Sequence, residues 1–299
     1  MKVLVTGGCG FIGSTLVERL IGEGHDVCIL DVAPSQRNDG VEVIQQSLAD
    51  DGFLGSVLRE EIHRIRPEVV YHLAGFANID KVKSDPVGTV RSNVLATANL
   101  LDACRQHLDP LPRIIFTSSV YVYSEHGHLY TTTKKCAEDL IKDFHTLYGL
   151  PYTILRLGTV YGEHSREQDV VSIFVKQALA GKPITIHGDG RQRRRFLYIG
   201  DAVEALIKAM NPKLAEDKTL TIVGPRAVTV NELALIVKDK IGGSEVQHLL
   251  NEQREDDIRE EIISSLVEQN NIQVLGWTPC TEIEEGIQKM IKWYKTPKK

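Results

Sequence analysis

Short apolar runs alternate with helix-like stretches through the first half of this 299-residue chain. The runs are rich in β-branched residues, whereas the stretches between them repeat apolar residues at steps of three and four. Strands buried on both faces read as continuous apolar runs, and helices between such strands imply a parallel sheet flanked by helices. The expected strands lie at 2–6, 26–30, 41–45, 68–74, 113–118 and 152–157, and the expected helices at 13–22, 52–65, 86–107 and 131–148.

The pattern becomes less regular in the second half of the chain. It indicates a helix near 200–210, a strand at 220–224 and two further helices, with no low-complexity linker. We therefore expect a large first domain over residues 1–160 and a smaller α/β substrate lobe over 161–299. The chain is expected to cross back to the first domain around 196–224.

Composition restricts the partners and the compartment. Hydrophobic residues make up 42% and charged residues 25%, as in ordinary globular proteins. The formal net charge of -5 argues against nucleic acid or an anionic membrane as partner, because both need a basic surface. The five cysteines form no C-x-x-C pair, which favours free thiols. With no signal-peptide pattern and no apolar run of membrane-spanning length, a soluble cytoplasmic protein is expected.

The segment VTGGCGFIG at 5–13 lies between the first expected strand and the first expected helix. Its glycines at Gly7, Gly10 and Gly13 suit a tight turn, close approach of a pyrophosphate, and close packing of helix on strand. The N-terminus of the helix offers unpaired N–H groups to such an anion. The segment therefore predicts dinucleotide binding on a Rossmann-type, doubly wound sheet.

Asp31 ends the second expected strand and bears on the choice of dinucleotide. A carboxylate at this place can bind a ribose 2′-hydroxyl and repels a 2′-phosphate. NAD is therefore favoured over NADP, although Arg37 lies close enough in sequence to leave NADP open.

The stretch SSVYVYSEHGHLYTTTKK at 118–135 contains three tyrosines, and one of them has a lysine four residues later. Tyr130 and Lys134 therefore share one face of an expected helix. A phenol with a pKa of about 10 is a poor base at neutral pH. The ammonium, together with the positive nicotinamide ring of an oxidised cofactor, favours the phenolate, so Tyr130 is a candidate proton acceptor.

Ser119 ends the preceding strand, at the sheet edge where α/β proteins bind ligands. Its hydroxyl is a candidate for holding the substrate oxygen that loses its proton to Tyr130. The alternative is that Tyr130 is a half-buried packing residue and Lys134 a solvated one. The glycine-rich segment and the Ser-Ser strand end favour proton transfer.

With these residues in place, the chain resembles the extended short-chain dehydrogenase/reductase family, in its NAD-dependent nucleotide-sugar epimerase/dehydratase branch. The resemblance covers nearly the whole chain, and the combination of motifs is specific although each motif is short. The motifs are TGGCGFIG (6–13), HLAG (72–75), NVLATANLLDAC (93–104), TSSVYVYS (117–124), YTTTK (130–134), RLGTVYG (156–162), GDGRQRRRF (188–196), RED (254–256) and LGWTP (275–279).

The resemblance implies roles for individual residues. It implies Ser119, Tyr130 and Lys134 as the catalytic trio, with Lys134 also holding the nicotinamide ribose. It implies arginines at the substrate's diphosphate, and a guanidinium suits that anion because it donates two parallel hydrogen bonds. No metal site is expected. The implied NAD contacts are Gly7, Gly10, Phe11, Ile12, Gly13, Asp31, Leu48, Ala74, Gly75 and Lys134, and the implied substrate contacts are Thr159, Arg194 and Arg254.

The chain departs from the family pattern at several places. Ser47 stands where an aspartate often binds adenine, and Thr159 stands where an asparagine usually contacts the substrate. Arg195 replaces the aspartate that usually follows the diphosphate arginine. Ten residues separate Ser119 from Tyr130, whereas family members commonly insert a longer loop over the sugar.

The resemblance leaves several reactions open. Related dehydratases usually carry an Asp-Glu pair after the catalytic hydroxyl residue, and related decarboxylases keep an acidic residue there, but this chain has Val120 and Tyr121. We therefore expect a UDP-sugar 4-epimerase that works through a 4-keto intermediate. A 4-ketoreductase and an atypical dehydratase are the alternatives, and a non-catalytic NAD-sensing protein is a distant one. The family also implies a homodimer, paired through the helices near 90–107 and 131–148.

Overall fold

The computed structural model divides into two compact units. The first comprises Met1–Arg156 and Ala205–Leu220, and the second comprises Leu157–Glu204 and Thr221–Lys299. The chain thus returns to the first unit once before it completes the second. The structure describes residues 1–49, 53–77, 79–106, 109–124, 129–250 and 274–296.

A seven-stranded sheet is the central feature of the fold. Its strands are β1 (Lys2–Thr6), β2 (Asp26–Asp31), β3 (Glu42–Gln45), β4 (Val69–His72), β5 (Arg113–Ser119), β6 (Tyr152–Leu157) and β10 (Lys218–Ile222). They lie in the order β3-β2-β1-β4-β5-β6-β10, and the pairs β1–β2, β2–β3, β1–β4 and β4–β5 are parallel. The strand order runs outward in both directions from β1, which confirms the predicted Rossmann-type, doubly wound sheet.

The predicted helical stretches of the first unit are present, one of them with an interruption. Two short helices, Ile79–Ser84 and Pro212–Ala215, were not predicted. The predicted helix at 86–107 is interrupted by a π-helical turn, Arg91–Leu95. Single π turns of this kind frequently lie at functional sites. The helices are α1 (Phe11–Gly22), α2 (Phe53–Ile65), α3 (Ile79–Ser84), α4 (Pro86–Val90), α5 (Ala96–Arg105), α6 (Leu129–Tyr148) and α9 (Pro212–Ala215), and α8 (Ile199–Ala209) lies where the chain passes from the second unit to the first.

The apolar face and the end of helix α6 both follow from its local sequence. Ala137 and Ile141 lie one turn apart, and both are fully buried in the core of the first unit. Gly149 ends the helix because it adopts a left-handed φ of 70° and its N–H bonds to the His145 carbonyl at 2.8 Å. The apolar face therefore holds α6 against the sheet, which positions the N-terminal turns of the helix beside the end of β5.

The second unit contains two small sheets and its own apolar core. The strands are β7 (Thr159–Tyr161), β8 (Ile184–His187), β9 (Arg193–Tyr198), β11 (Ala227–Thr229) and β12 (Val246–Leu249), in the orders β11-β9-β7 and β12-β8. The helices are α7 (Val170–Leu179), α10 (Val230–Ile241) and α11 (Ile283–Lys295). Their buried side chains, such as Phe174, Leu233 and Ile287, form one cluster. Among the helices that the structure describes, none is long and apolar enough to cross a membrane.

Candidate active site

The loop between β1 and α1 is shaped by its glycines. Gly7 has a left-handed φ of 70°, and a Cβ there would lie 2.7 Å from the Ala74 nitrogen. A Cβ on Gly13 would overlap the Gly7 carbonyl oxygen, so α1 can pack this closely on the loop only without a side chain there. Gly10 is the N-cap of α1 and has no side chain to cap the helix. The backbone N–H groups of residues 11–13, in the first turn of α1, have no acceptor within the helix. They lie directly next to the loop.

Asp31 ends β2 beside this loop and is fixed by two backbone groups. Its Oδ2 accepts a hydrogen bond from the Cys9 N–H at 2.9 Å, and its Oδ1 accepts one from the Ala33 N–H at 3.0 Å. Burial and the Asp31 carboxylate raise the pKa of the Cys9 thiol to about 11, so the thiol stays protonated at neutral pH. The carboxylate is therefore the fixed negative charge at this edge of the loop.

Arg37 is held on the outer side of α1. Its Nη1 donates to Ser14 Oγ at 2.7 Å and to Thr15 Oγ1 at 3.2 Å, and its Nη2 donates to Glu18 Oε2 at 2.9 Å. Because of Arg37, the sequence did not exclude NADP as the cofactor. In the structure the Arg37 guanidinium is bound by three side chains of α1.

The loop after β4 carries Ala74 and Gly75 and is clamped by Asn93. Asn93 Oδ1 accepts from the Phe76 N–H at 2.7 Å, and Nδ2 donates to the Phe76 carbonyl and to Thr133 Oγ1, each at 3.1 Å. Asn93 lies in the π-helical turn and so joins this loop to α6. No role was predicted for Asn93 from the sequence. An asparagine inside a helix-like stretch is nevertheless a usable signal, because asparagine disfavours helix interiors.

A buried hydrogen-bonded chain fixes the end of β4. Thr97 Oγ1 donates to the Asn93 carbonyl at 2.7 Å, so it accepts the bond from His72 Nε2–H at 2.9 Å. His72 Nδ1 then accepts from the Thr6 hydroxyl at 2.9 Å. Burial, and after it Lys134, lower the pKa of His72 to about 3. The ring is therefore neutral at physiological pH, with Nε2 as the hydrogen-bond donor and Nδ1 as the acceptor.

Ser119 lies at the end of β5 and caps the short 3-10 helix Val120–Tyr123. Its Oγ accepts the Tyr121 N–H at 3.3 Å, which leaves the hydroxyl proton available for a second partner. The Tyr121 ring stands edge-on to the Tyr130 ring, with 6.2 Å between the ring centroids. The hydroxyls of Ser119 and Tyr130 therefore belong to neighbouring elements of the first unit.

Tyr130 and Lys134 lie one turn apart at the start of α6, and both side chains are buried. Lys134 Nζ donates to the Thr117 carbonyl at 2.9 Å and lies 4.6 Å from the centroid of the Phe116 ring. Burial lowers the pKa of Lys134 to about 8, while the Glu138 carboxylate acts in the opposite direction. Lys134 is thus a buried amine one helical turn after Tyr130. An ammonium close to a phenol favours the phenolate, which is the role predicted for this pair.

A family model described as "NAD dependent epimerase/dehydratase family" matches residues 3–223 of this chain. The match includes the glycine loop and all three candidate proton-transfer residues. The chain belongs to the NAD dependent epimerase/dehydratase family. The prediction of an NAD-dependent enzyme is therefore confirmed, and the alternative of a non-catalytic NAD-sensing protein is not supported.

Relatives in this family match almost the entire chain. A Methanocaldococcus jannaschii protein that carries the provisional name UDP-glucose 4-epimerase is 33% identical over 314 residues, with 98% of both chains covered. UDP-glucuronic acid decarboxylase 1 of Arabidopsis thaliana is 31% identical over 318 residues, which cover 99% of this chain and 70% of the relative. The crystal structure of UDP-glucuronic acid 4-epimerase from Bacillus cereus, with UDP-glucuronic acid and NAD, has a TM-score of 0.84 at 25% identity and 99% coverage of both chains.

The residues of the first unit fit the cofactor of the family. The close approach of Gly13 to Gly7 leaves room for a pyrophosphate at the backbone N–H groups of the helix N-terminus, and the Asp31 carboxylate would suit a ribose hydroxyl. These contacts stay predictions. Leu48 is less clear-cut, because its side chain is buried in the hydrophobic core and its carbonyl accepts from Asn99 Nδ2 at 2.9 Å. Its contact with NAD stays a prediction.

The predicted substrate residues of this family member lie in the second unit. Thr159 begins β7, and Arg194 is on β9. Successive side chains on a strand point to opposite faces, so Arg194 faces away from Arg193 and Arg195. Arg195, which replaces the usual aspartate of the family, donates through Nη1 to the Pro225 carbonyl at 3.2 Å. The roles of Thr159 and Arg194 stay predictions, and Arg254 lies outside the described residues.

Proposed function

We propose that this enzyme is a UDP-sugar 4-epimerase. The observation that carries the proposal is the structure around the end of β5. Ser119 is followed by buried Val120 and by Tyr121, whose ring packs edge-on to Tyr130. Related enzymes that expel water or carbon dioxide carry acidic residues directly after the catalytic hydroxyl residue. Val120 and Tyr121 supply no carboxylate at these two positions. Inversion at C4 needs only a group that removes and returns a proton, and a redox cofactor.

The proposed roles follow from chemistry that the side chains can perform. Tyr130, as the phenolate, takes the proton of the 4-hydroxyl, and Ser119 donates a hydrogen bond to the same oxygen. NAD, held at the glycine loop, would supply the hydride acceptor for C4 and the hydride donor for the other face of the 4-keto sugar. Tyr130 then gives the proton back, so atoms and electrons balance over the cycle. Lys134 is proposed to keep a positive charge near the phenolate and to bind the nicotinamide ribose.

The second unit supplies the proposed specificity for a nucleotide diphosphate. Arg194, with Arg254, is proposed to bind the two phosphates, since a guanidinium matches that anion geometrically. Thr159 is proposed as a sugar contact. The relatives named above act on UDP-glucose or UDP-glucuronic acid according to their names, which supports a UDP-sugar as the substrate.

The state and the compartment of the enzyme are part of the same proposal. We propose a homodimer that forms through α5 and α6, the helices implied by the family. The five cysteines are free thiols, two of them exposed, which supports the reducing cytoplasm as the compartment.

The experiment is an incubation of the purified enzyme and NAD with a panel of nucleotide sugars, followed by proton NMR. The panel contains UDP-glucose, UDP-galactose, their N-acetyl forms and UDP-glucuronic acid. We expect interconversion of at least one C4 pair, and none with the Tyr130→Phe variant. Loss of C6 as carbon dioxide would replace the epimerase with a decarboxylase, and a 4-keto-6-deoxy product would replace it with a dehydratase. Net reduction of a 4-keto sugar added together with NADH would replace it with a ketoreductase.

A further inference from the structure

Glu138 is a buried carboxylate that the proposed reaction does not use. It lies on α6, one turn after Lys134 and two turns after Tyr130, and its side chain is 3% exposed. Glutamate is almost never this deeply buried unless it is paired. Its partners therefore indicate what it does.

Three hydrogen bonds, donated by one residue of β6 and one residue of β5, converge on this carboxylate. Arg156 on β6 donates through Nε to Oε1 at 2.9 Å and through Nη2 to Oε2 at 2.5 Å. Ser118 on β5 donates through Oγ to Oε1 at 2.6 Å. Burial alone would lower the pKa of Arg156, but its hydrogen bonds to Glu138 and Tyr123 outweigh burial and raise it. The Arg156 guanidinium thus stays charged and also lies 4.8 Å from the centroid of the Tyr123 ring.

These contacts hold the same elements that carry the proton-transfer groups. Ser118 directly precedes Ser119, and successive strand residues face opposite sides, so Ser118 can bind Glu138 while Ser119 faces the other way. Tyr123 belongs to the 3-10 helix that Ser119 caps. Lys134 binds the Thr117 carbonyl one residue earlier on β5. Helix α6 is therefore bonded to β5 at two successive residues, immediately before Ser119.

The charges around Lys134 give Glu138 a second effect. Among the described residues, the titratable groups that interact with Lys134 include His72 from β4, which is neutral, and Glu138 from its own helix. Lys142, also on α6, lies 3.8 Å from Glu138 Oε2. Arg156 from β6 faces Glu138 and balances part of its charge. An ordinary buried lysine in this place would tend to lose its proton, and the Glu138 carboxylate opposes that loss.

We propose that Glu138, held by Arg156 and Ser118, is a positioning residue. It fixes the first turns of α6 on β5, and it places a carboxylate one turn from Lys134, next to the strand end that carries Ser119. The proposal rests on the roles of Lys134 and Tyr130 in the proposed function. It differs from a merely structural ion pair, which would stabilise the fold without changing the protonation of Lys134.

The test is an NMR titration of protein labelled with ¹³C at the ε-carbon of lysine, with no substrate or cofactor present. The Lys134 signal is assigned by its loss in Lys134→Met. In the wild type the titration midpoint is expected near pH 8. Glu138→Gln removes the negative charge and leaves Arg156 unbalanced, so the midpoint is expected to fall by about one pH unit. Glu138→Asp keeps the charge and is expected to keep the midpoint close to that of the wild type.

Asp201→Asn is the matched control for a lost buried carboxylate. Asp201 accepts from the Thr281 N–H at 2.9 Å and the Cys280 N–H at 3.2 Å in the second unit. It is expected to lower stability without moving the Lys134 midpoint. An unchanged midpoint in Glu138→Gln, or an equal shift in Asp201→Asn, would overturn the proposal.

A second variant keeps the test decisive if Glu138→Gln fails to fold. Glu138→Met combined with Arg156→Met removes both partners of the buried pair, a change that proteins often tolerate. The Lys134 midpoint is again expected below that of the wild type, and an unchanged midpoint overturns the proposal. Because the titration needs no turnover, it decides this proposal even if no sugar in the panel is epimerised.

Discussion

Two sets of positive charges, one in each unit of this protein, differ in their burial. In the first unit, Lys134 is buried, and Arg156 is paired with the buried Glu138. In the second unit, Arg191 just before β9 and Arg193 at its start are exposed. Arg194, the next residue of β9, is partly buried. Buried charges such as those of Lys134 and Glu138 affect the protonation of neighbouring groups strongly. Charges nearer the surface, such as those on β9, can meet an anionic ligand from solution. We therefore expect changes in the first unit to alter kcat and pH dependence, and changes in the second to alter KM.

The largest effect is expected from Tyr130→Phe. Loss of the group that moves the C4 hydroxyl proton should lower kcat by about 10²- to 10⁴-fold, the usual contribution of a positioned acid or base. Steady-state kinetics on the converted C4 pair measure this loss. Tyr148→Phe, the same change at the other end of α6 on a side chain that is 44% exposed, is the control and should keep full activity. Equal effects of the two variants would contradict the assignment of Tyr130.

Arg194→Met should give the next largest effect, and mainly on KM. Charge-assisted hydrogen bonds to a diphosphate contribute about 1.5–3 kcal/mol, which corresponds to a rise in KM of about 10- to 100-fold. Arg193→Met changes the adjacent arginine, which faces the other side of β9, and should leave KM within about twofold because surface substitutions usually change little. A larger KM effect of Arg193→Met than of Arg194→Met would reverse the two roles.

Gly13→Ala tests the cofactor loop of the first unit. A Cβ there overlaps the Gly7 carbonyl oxygen, and relieving such an overlap costs about 1–3 kcal/mol. If the loop shifts to relieve this overlap, the affinity for NAD, measured by calorimetry, should fall about 5- to 150-fold. Gly22→Ala, at the end of the same helix with nothing within 4 Å of the added Cβ, should bind NAD like the wild type. Unchanged NAD affinity in Gly13→Ala would mean that the loop does not bind the pyrophosphate.

The smallest effect concerns pH. The pKa of Lys134 is lowered to about 8, so the side chain loses its charge as pH rises through that value. Activity that needs the ammonium is present below pH 8 and lost above it, and kcat/KM should about halve between pH 7 and pH 8, since this ratio reports the groups of the free enzyme. A pH–rate profile measures the descending limb. A profile that stays flat or rises up to pH 9 would contradict the role of the Lys134 charge.

Sequence periodicity was sufficient for the parts of the first unit that depend on local spacing. The four-residue step from Tyr130 to Lys134 predicts their shared helix face, and the glycine spacing at 7, 10 and 13 predicts the close loop. Both features follow from backbone geometry within one or two turns, so no distant residue had to be known.

Contacts between distant residues could not be predicted in this way. His72 meets Thr6, 66 residues earlier, and Arg156 meets Glu138, 18 residues earlier on a different element. Such pairs depend on the register between strands and helices, which periodicity does not fix. The π-helical turn at Arg91–Leu95 was also missed, because its apolar pattern continues that of the flanking helices. The same limit applies to Leu48, whose burial in the core does not follow from its place in a motif.

The most direct test of the proposed reaction is the fate of the hydrogen at C4. The enzyme is given a UDP-sugar that carries deuterium at C4, in ordinary water, and the C4 epimer is examined by NMR and mass spectrometry. Removal and return of the same hydrogen predicts that the product retains the deuterium at C4. Loss of the deuterium to water, or no C4 epimer from any sugar in the panel, would contradict the account.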